Sequence, residues 1–338
     1  MSITHSIWKL SLAGIVSLAC GMAGAQEARR DVTFAIPNPS AINVIPVAVA
    51  LGEGYFEQEG LNVSVEALNG SGPVLQALAS GQAQIGNPGA GPFLGARARN
   101  VDVTFIYRLN PNSSYGMVVP AASEVKTPQD LKGKVVGIGT ADGAEAAFAR
   151  SIFTEAGMKE GTDYQFLVVG DGGMAAAGFL RSDIAAYVAA TSDAAILNSR
   201  GMELRNVTPD KFRAFFGNGF AAMTDYIKAN PDTIERFGRA VVKGARFAAE
   251  PGNIEATIDH AAALNPQEGE DRDFSRALIE QIIVRQTPFD PAKGYGYQDQ
   301  AAWQAWHDSL LQSGELKSPI ANLEAVYTND FVERWNAQ

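Results

Sequence analysis

Short apolar strands alternate with helices along the first two thirds of the chain, and the alternation is run twice. Val32–Ile36 reads as a strand, and Asn43–Leu51 opens a helix that reaches about Phe56. Asn62–Ala67 is a second strand. Pro73 then stands in a first helical turn, where its missing N–H costs nothing, and Val74–Ala79 continue that helix. A brief strand over Gly81–Ile85, a helix over Pro92–Ala98 and a strand over Val103–Tyr107 finish the first run. The second run begins with Tyr115–Val119 and continues through Val135–Ile138, the Ala-rich helix Ala144–Ala156 and the strand Gln165–Val169. A helix through Leu180, the strand Ile184–Ala189 and a short helix over Ala194–Asn198 close it. Strands alternating with helices predict largely parallel sheets covered on both faces. Ala221–Met223 reads as a crossing back to the first unit, and the chain from Asp225 onward reads as almost entirely helical. There, Ile234, Phe237, Val241, Ala245 and Ala248 recur at spacings of three and four. Further helices are expected over Asp273–Val284, Asp299–Ser313 and Asn329–Trp335. The expected organisation is α/β in two domains, residues 26–118 with 223–338 and residues 119–222, separated by a cleft and joined by two crossing hinge strands.

The strands end in loops of small and polar residues: Pro37–Ser40, Asn69–Gly72, Gly86–Gly89, Gly139–Asp142 and Gly170–Gly173. Any one of them is an ordinary turn. As a set they outline a binding site, because open α/β sheets take ligands beyond the carboxyl ends of their strands, at helix N-termini with unpaired N–H groups. Asn38, Ser40, Asn69, Ser71, Gly72, Asn87, Gly89, Thr140, Asp142 and Asp171 are the candidate contacts from these loops, with Thr191 after the next strand and Asn218 at the return crossing. Tyr115 and Tyr187 offer flat faces and hydroxyls to a solute, or simply pack as core. Arg108 ends an apolar strand, where it either clamps an anion or pairs with a carboxylate at the hinge. A carboxylate at Asp142 or Asp171 repels an anion but accepts from an amine, a hydroxyl or a pyrimidine N–H; the commoner fate of such a residue is to cap its helix or face solvent.

No loop has the spacing of a phosphate loop or a dinucleotide fingerprint, so no nucleotide cofactor is expected. His260 and His307 lie in helical segments without a second histidine at metal spacing, so they read as surface or packing residues and no metal is expected. Trp303, Trp306 and Trp335 read as packing anchors.

The N-terminus has the form of a secretory leader: Lys9, an apolar stretch over Leu10–Ala19, then Ala23-Gly24-Ala25 before an expected cut at Gln26. Cys20 is the only cysteine. A lipid-attachment motif prefers a large aliphatic residue three positions earlier, where this chain has Ser17, so a soluble, thiol-free product is expected. Loss of a leader with one lysine and no acid takes the formal charge from −10 to −11. An acidic surface opposes nucleic acid and anionic lipid.

Gly54-Tyr-Phe with Glu59-Gly-Leu61, Ala79-Ser-Gly81 with Ile85-Gly86, Lys126–Gly133, Asn230-Pro231 and Tyr327-Thr-Asn329 occur in an order that resembles one family across nearly the whole mature chain. It is the nitrate/sulfonate/taurine and thiamine-precursor receptor family of periplasmic binding proteins, type II architecture. The resemblance implies a periplasmic, monomeric receptor that captures a small organic solute by cleft closure. It would deliver that solute to an ABC permease driven by a cytoplasmic ATPase, or report it to a membrane sensor. The family and the helix N-termini favour an anion such as a sulfonate or aromatic carboxylate, with a pyrimidine thiamine precursor next. Fungal pyrimidine synthases share the fold, but they carry a cysteine-rich segment and a serving histidine that this mature chain lacks, so no catalysis is expected. Gln84 stands where such receptors often have an aspartate, at a position whose role is usually structural.

Overall fold

A computed structural model describes residues 1–2, 29–111, 115–141, 143–170, 173–190, 193–194, 197–198, 201–213 and 215–337. The first run forms β1 (Arg30–Ile36), α1 (Ile45–Gly52), α2 (Tyr55–Gln58), β2 (Leu61–Ala67), α3 (Ser71–Ser80), β3 (Ile85–Gly86), α4 (Ala90–Ala98) and β4 (Val103–Tyr107). The second forms β5 (Tyr115–Pro120), β6 (Lys134–Ile138), α5 (Ala144–Glu155), β7 (Tyr164–Val168), α6 (Gly173–Leu180), β8 (Ala186–Ala190), β9 (Leu204–Asn206) and α7 (Asp210–Arg213). The chain then returns through β10 (Phe220–Met223).

Two five-stranded sheets result, ordered β2-β1-β3-β10-β4 and β7-β6-β8-β5-β9. Both are mixed, where the alternation predicts them largely parallel. β1 pairs in parallel with β2 and β3, and β6 with β7 and β8. The strands nearest the crossings run the other way: β10 is antiparallel to β3 and β4, and β5 to β8 and β9. A strand that enters a sheet from the other lobe has no covering helix to reverse it, so it runs against its neighbours.

The long helix expected from Asn43 to about Phe56 is broken. A 3-10 turn over Ile42–Val44 precedes α1, and Gly54 at φ 71° ends it before α2. A left-handed backbone is where glycine stops a helix at least cost.

Beyond β10 the chain continues as α8 (Thr224–Ala229), α9 (Pro231–Ala249), α10 (Ile254–Leu264), α11 (Arg272–Gln286), α12 (Gln300–Ser313) and α13 (Val332–Asn336). In α9 the expected stripe of Ile234, Phe237, Val241, Ala245 and Ala248 is buried. Gly244 lets α9 lie directly on α1, since a Cβ there would sit 2.1 Å from the Pro46 carbonyl oxygen. Glu59, held below the ordinary carboxylate range by hydrogen bonds and charge from Arg239 and Lys243, fastens the outer side of α9 to the turn after α2.

One apolar cluster runs through both lobes, from Phe93 and Phe105 beside the first sheet to Phe148 and Ile138 in the second, with Trp303, Trp306 and Leu310 of α12 among them. No described helix is long and apolar enough to cross a membrane.

Candidate functional site

The carboxyl ends of both sheets open onto a common cleft of about 790 Å³, counting the open solvent in its mouth. From the first sheet come Ile36–Asn38 and Ser40 after β1, Gly70 and Ser71 at the start of α3, and Asn87 after β3. From the second come Gly139, Thr140 and Gly143–Glu145 around the start of α5, with Tyr187, Val188, Ala190 and Asp193 on and after β8. Asn110, Tyr115 and Asn218 line the back, where the chain crosses between lobes, and Ile282 of α11 reaches the wall.

The hydrogen bonding at the back is continuous. The Tyr115 hydroxyl donates to Asn218 Oδ1 at 2.8 Å, and Asn218 Nδ2 donates to the Asn87 carbonyl at 3.1 Å. Asn87 is 2 % exposed, yet its side-chain oxygen is buried without a partner. A buried acceptor left unpaired loses the full worth of its hydration, so it marks a place built for a donor. On the other wall, the buried Tyr187 hydroxyl donates to the Gly170 carbonyl at 3.2 Å and lies 3.4 Å from Asp193 Oδ2. Glu145 Oε1 accepts from Thr140 N–H at 2.8 Å and from the Thr140 hydroxyl at 3.2 Å, which fixes the loop leading into α5.

Ser40 N–H is bound by Asn38 Oδ1, and the Ser40 hydroxyl donates to Glu268 Oε1 at 2.6 Å. Glu268 comes from the distant turn Pro266–Gly269 and also accepts from Ile42 N–H at 3.1 Å. Burial pushes its carboxyl up to about 7, against the opposing pull of these hydrogen bonds.

Helices α3 and α5 begin at this cleft behind Gly70 and Gly143, neither with a side-chain cap. Their first-turn N–H groups suit an acceptor oxygen. The side-chain charge is of the opposite kind. Glu145 and Asp193 are the charged residues of the described lining, and no lysine, arginine or histidine is among them. Among the described residues no cluster of three metal-ligating side chains occurs.

Of the residues singled out in the sequence, the structure brings together Asn38, Ser40, Ser71, Asn87, Tyr115, Thr140, Tyr187 and Asn218. Asp142, Asp171 and Thr191 lie outside the described residues. Asn69 and Gly72 are not in the lining; Gly72 instead faces an outer groove beside α4 and α5. Gly89 sits behind the wall, donating its N–H to Ser71 Oγ at 3.1 Å.

Arg108 takes the second role left open for it. It is 3 % exposed and outside the lining, with Nη1 on Asp299 Oδ2 at 2.8 Å. Phe216 is buried against Trp303, ring centroids 4.7 Å apart. Gln84 is structural, accepting Thr33 N–H at 2.8 Å.

Asn43, Asn110, Glu145 and Asp193 line the cleft although sequence reasoning passed over them. For Glu145 a signal existed, an acid in the first turn of a helix that follows a glycine loop.

The family model described as "NMT1/THI5 like" matches residues 41–253, more than half of the chain. The riboflavin-binding protein RibY of Chloroflexus aurantiacus is 25% identical over 317 residues, covering 91% of this chain and 88% of that protein. Two solved structures share the fold. The alkanesulfonate-binding protein SsuA from Xanthomonas axonopodis pv. citri, bound to MOPS, aligns with a TM-score of 0.68 at 16% identity over 89% of this chain and 98% of its own. The periplasmic nitrate-binding protein NrtA from Synechocystis PCC 6803 aligns at 0.67 and 15% identity over 91% of this chain and 89% of its own. These relatives are solute-binding proteins by name.

Proposed function

Since the chain belongs to the NMT1/THI5-like family, we propose that it is an extracytoplasmic receptor of an ABC importer. It takes an uncharged, hydrogen-bonding heterocycle of the pyrimidine or flavin kind between its lobes and hands it to a membrane permease unchanged. The receptor role is supported by walls drawn from both sheets, since such a site is complete only when the lobes are together. A periplasmic location is supported by the leader and by the likeness to a periplasmic nitrate-binding protein.

The observation that carries the solute class is the unpartnered Asn87 oxygen in a cleft with two carboxylates and no cationic side chain in its described lining. Asn87 and Asp193 call for ring N–H or hydroxyl donors, while the uncapped starts of α3 and α5 suit ring carbonyl oxygens. One planar molecule bearing both kinds of group meets both demands, and Tyr115 or Tyr187 supplies an aromatic edge. RibY, with its riboflavin-binding name, is consistent with this class. An anion, which the family resemblance favours, retains the support of the helix starts alone.

The test is a binding panel on the chain from Gln26, unfolded and refolded to strip carried-over solute. Riboflavin is followed by quenching of its fluorescence; hydroxymethylpyrimidine, MOPS, alkyl sulfonates and nitrate are followed by thermal shift. A true solute at a hundred times its dissociation constant adds about 2.7 kcal/mol. Asn87→Leu is expected to weaken the responding heterocycle at least tenfold, about 1.4 kcal/mol. A response confined to sulfonates or nitrate would overturn the solute class and leave the receptor.

A further inference from the structure

Arg108 stands where the lobes are joined, and its partners come from every segment that meets there. Its Nη2 donates to the Pro111 carbonyl of the first crossing, and its guanidinium lies 4.8 Å from the ring centroid of Phe216 on the second. It is also 4.7 Å from the ring centroid of Phe289, and Nη1 holds Asp299, the N-cap of α12. Beside it the crossings exchange backbone bonds, Asn110 N–H to the Asn218 carbonyl at 3.1 Å and Gly217 N–H to the Asn110 carbonyl at 2.9 Å. The Arg108 N–H itself donates to Gly296.

A guanidinium against two rings and one carboxylate is a stiff, directional joint, since its fork fixes angles as well as distances. It is also incompletely satisfied: Nε is buried with no acceptor. A pair serving stability alone has little reason to keep a buried donor unpaired, whereas a joint that adopts more than one geometry is satisfied differently in each.

We propose that Arg108 is a positioning residue that sets the angle between the two lobes, and so the fraction of empty protein that is closed, without touching the solute. It rests on the receptor reading only in taking the lobes to move. The comparison of variants needs no solute. With Cys20 replaced by Ser, the chain has no cysteine, so Ala67→Cys and Met174→Cys place one spin label on an exposed position of each lobe. Pulsed dipolar spectroscopy then gives the distribution of inter-lobe distances.

Arg108→Met keeps an apolar stem against the rings but removes both bonds from the guanidinium. It is expected to broaden the distribution and move its weight to longer distances. Asp299→Asn, which still offers one acceptor, is expected to do the same to a smaller extent and guards against a misfolded Arg108 variant. Distributions that superimpose on the parent for both variants, with only the melting temperature lowered, would overturn the proposal. A parent showing one narrow distance that no panel compound alters would instead overturn the moving-lobe receptor.

Discussion

Glu268 holds the loop after β1 from a turn more than two hundred residues away, and its raised carboxyl ties that grip to pH. Its folded pKa of about 7 exceeds the ordinary 4.5, so between those values the native state holds a proton that the unfolded chain has released. The stability this contributes is complete below pH 4.5 and is lost as pH rises through 7, roughly 3–3.5 kcal/mol in all. Glu268→Gln is therefore expected to flatten the fall in stability between pH 5 and 8, read by urea denaturation at several pH values; an unchanged slope would remove Glu268 as its source. Nothing in the sequence announced this contact, because partners so far apart in the chain share no pattern. Asn87 was legible through its Gly-Asn-Pro-Gly loop, whereas Asp193 was not. An isolated acid beside a helix start looks the same in sequence whether it faces solvent or a cleft.

At the scale of elements, α12 ties the lobes together. Trp303 is 1 % exposed, stacks on Tyr327, meets Phe105 and Phe216 edge-on and donates its indole N–H to Gln298. Trp306 donates to the Phe216 carbonyl of the second crossing. Trp303→Ala is expected to cost about 4 kcal/mol, measured as a lowered denaturant midpoint; a loss under 1 kcal/mol would show that the helix is no strut. The helix itself was legible from Asp299 to Ser313, but not its contact with α4 and α5 together. Short or polar elements were the ones missed: α7 over Asp210–Arg213 and β9 were not expected at all, and α10 only as part of the helical stretch beyond Asp225. In α10 the buried positions are Thr257, Ile258 and Ala261, too few and too polar to show a stripe. β9 is three residues at a sheet edge, Leu-Arg-Asn, with no apolar alternation.

Across the whole molecule the lobes meet through small residues. A Cβ on Gly89 would lie 2.2 Å from the Ala144 Cβ, across the seam between α4 and α5. The backbone at Gly89 is extended and accepts any side chain, so Gly89→Val obstructs the seam without straining its own strand end. It is expected to weaken the solute found in the panel at least tenfold and to enlarge the solution scattering radius, with the solute-free melting temperature nearly unchanged. Parent-like affinity would mean that the seam need not close. The two-run organisation was plain in the sequence, while strand direction was not: Ala221–Met223 has the same composition whichever way it runs. That last strand carries one more consequence. β10 lies between β3 and β4, so β4 stays cut off from the rest of the first sheet until Met223 has been made, while β5 to β9 form an uninterrupted stretch that is complete at Asn206. A chain emerging amino end first can thus finish its second lobe while the first still waits for the strand that joins β4 to it, and maturation runs opposite to the order of synthesis.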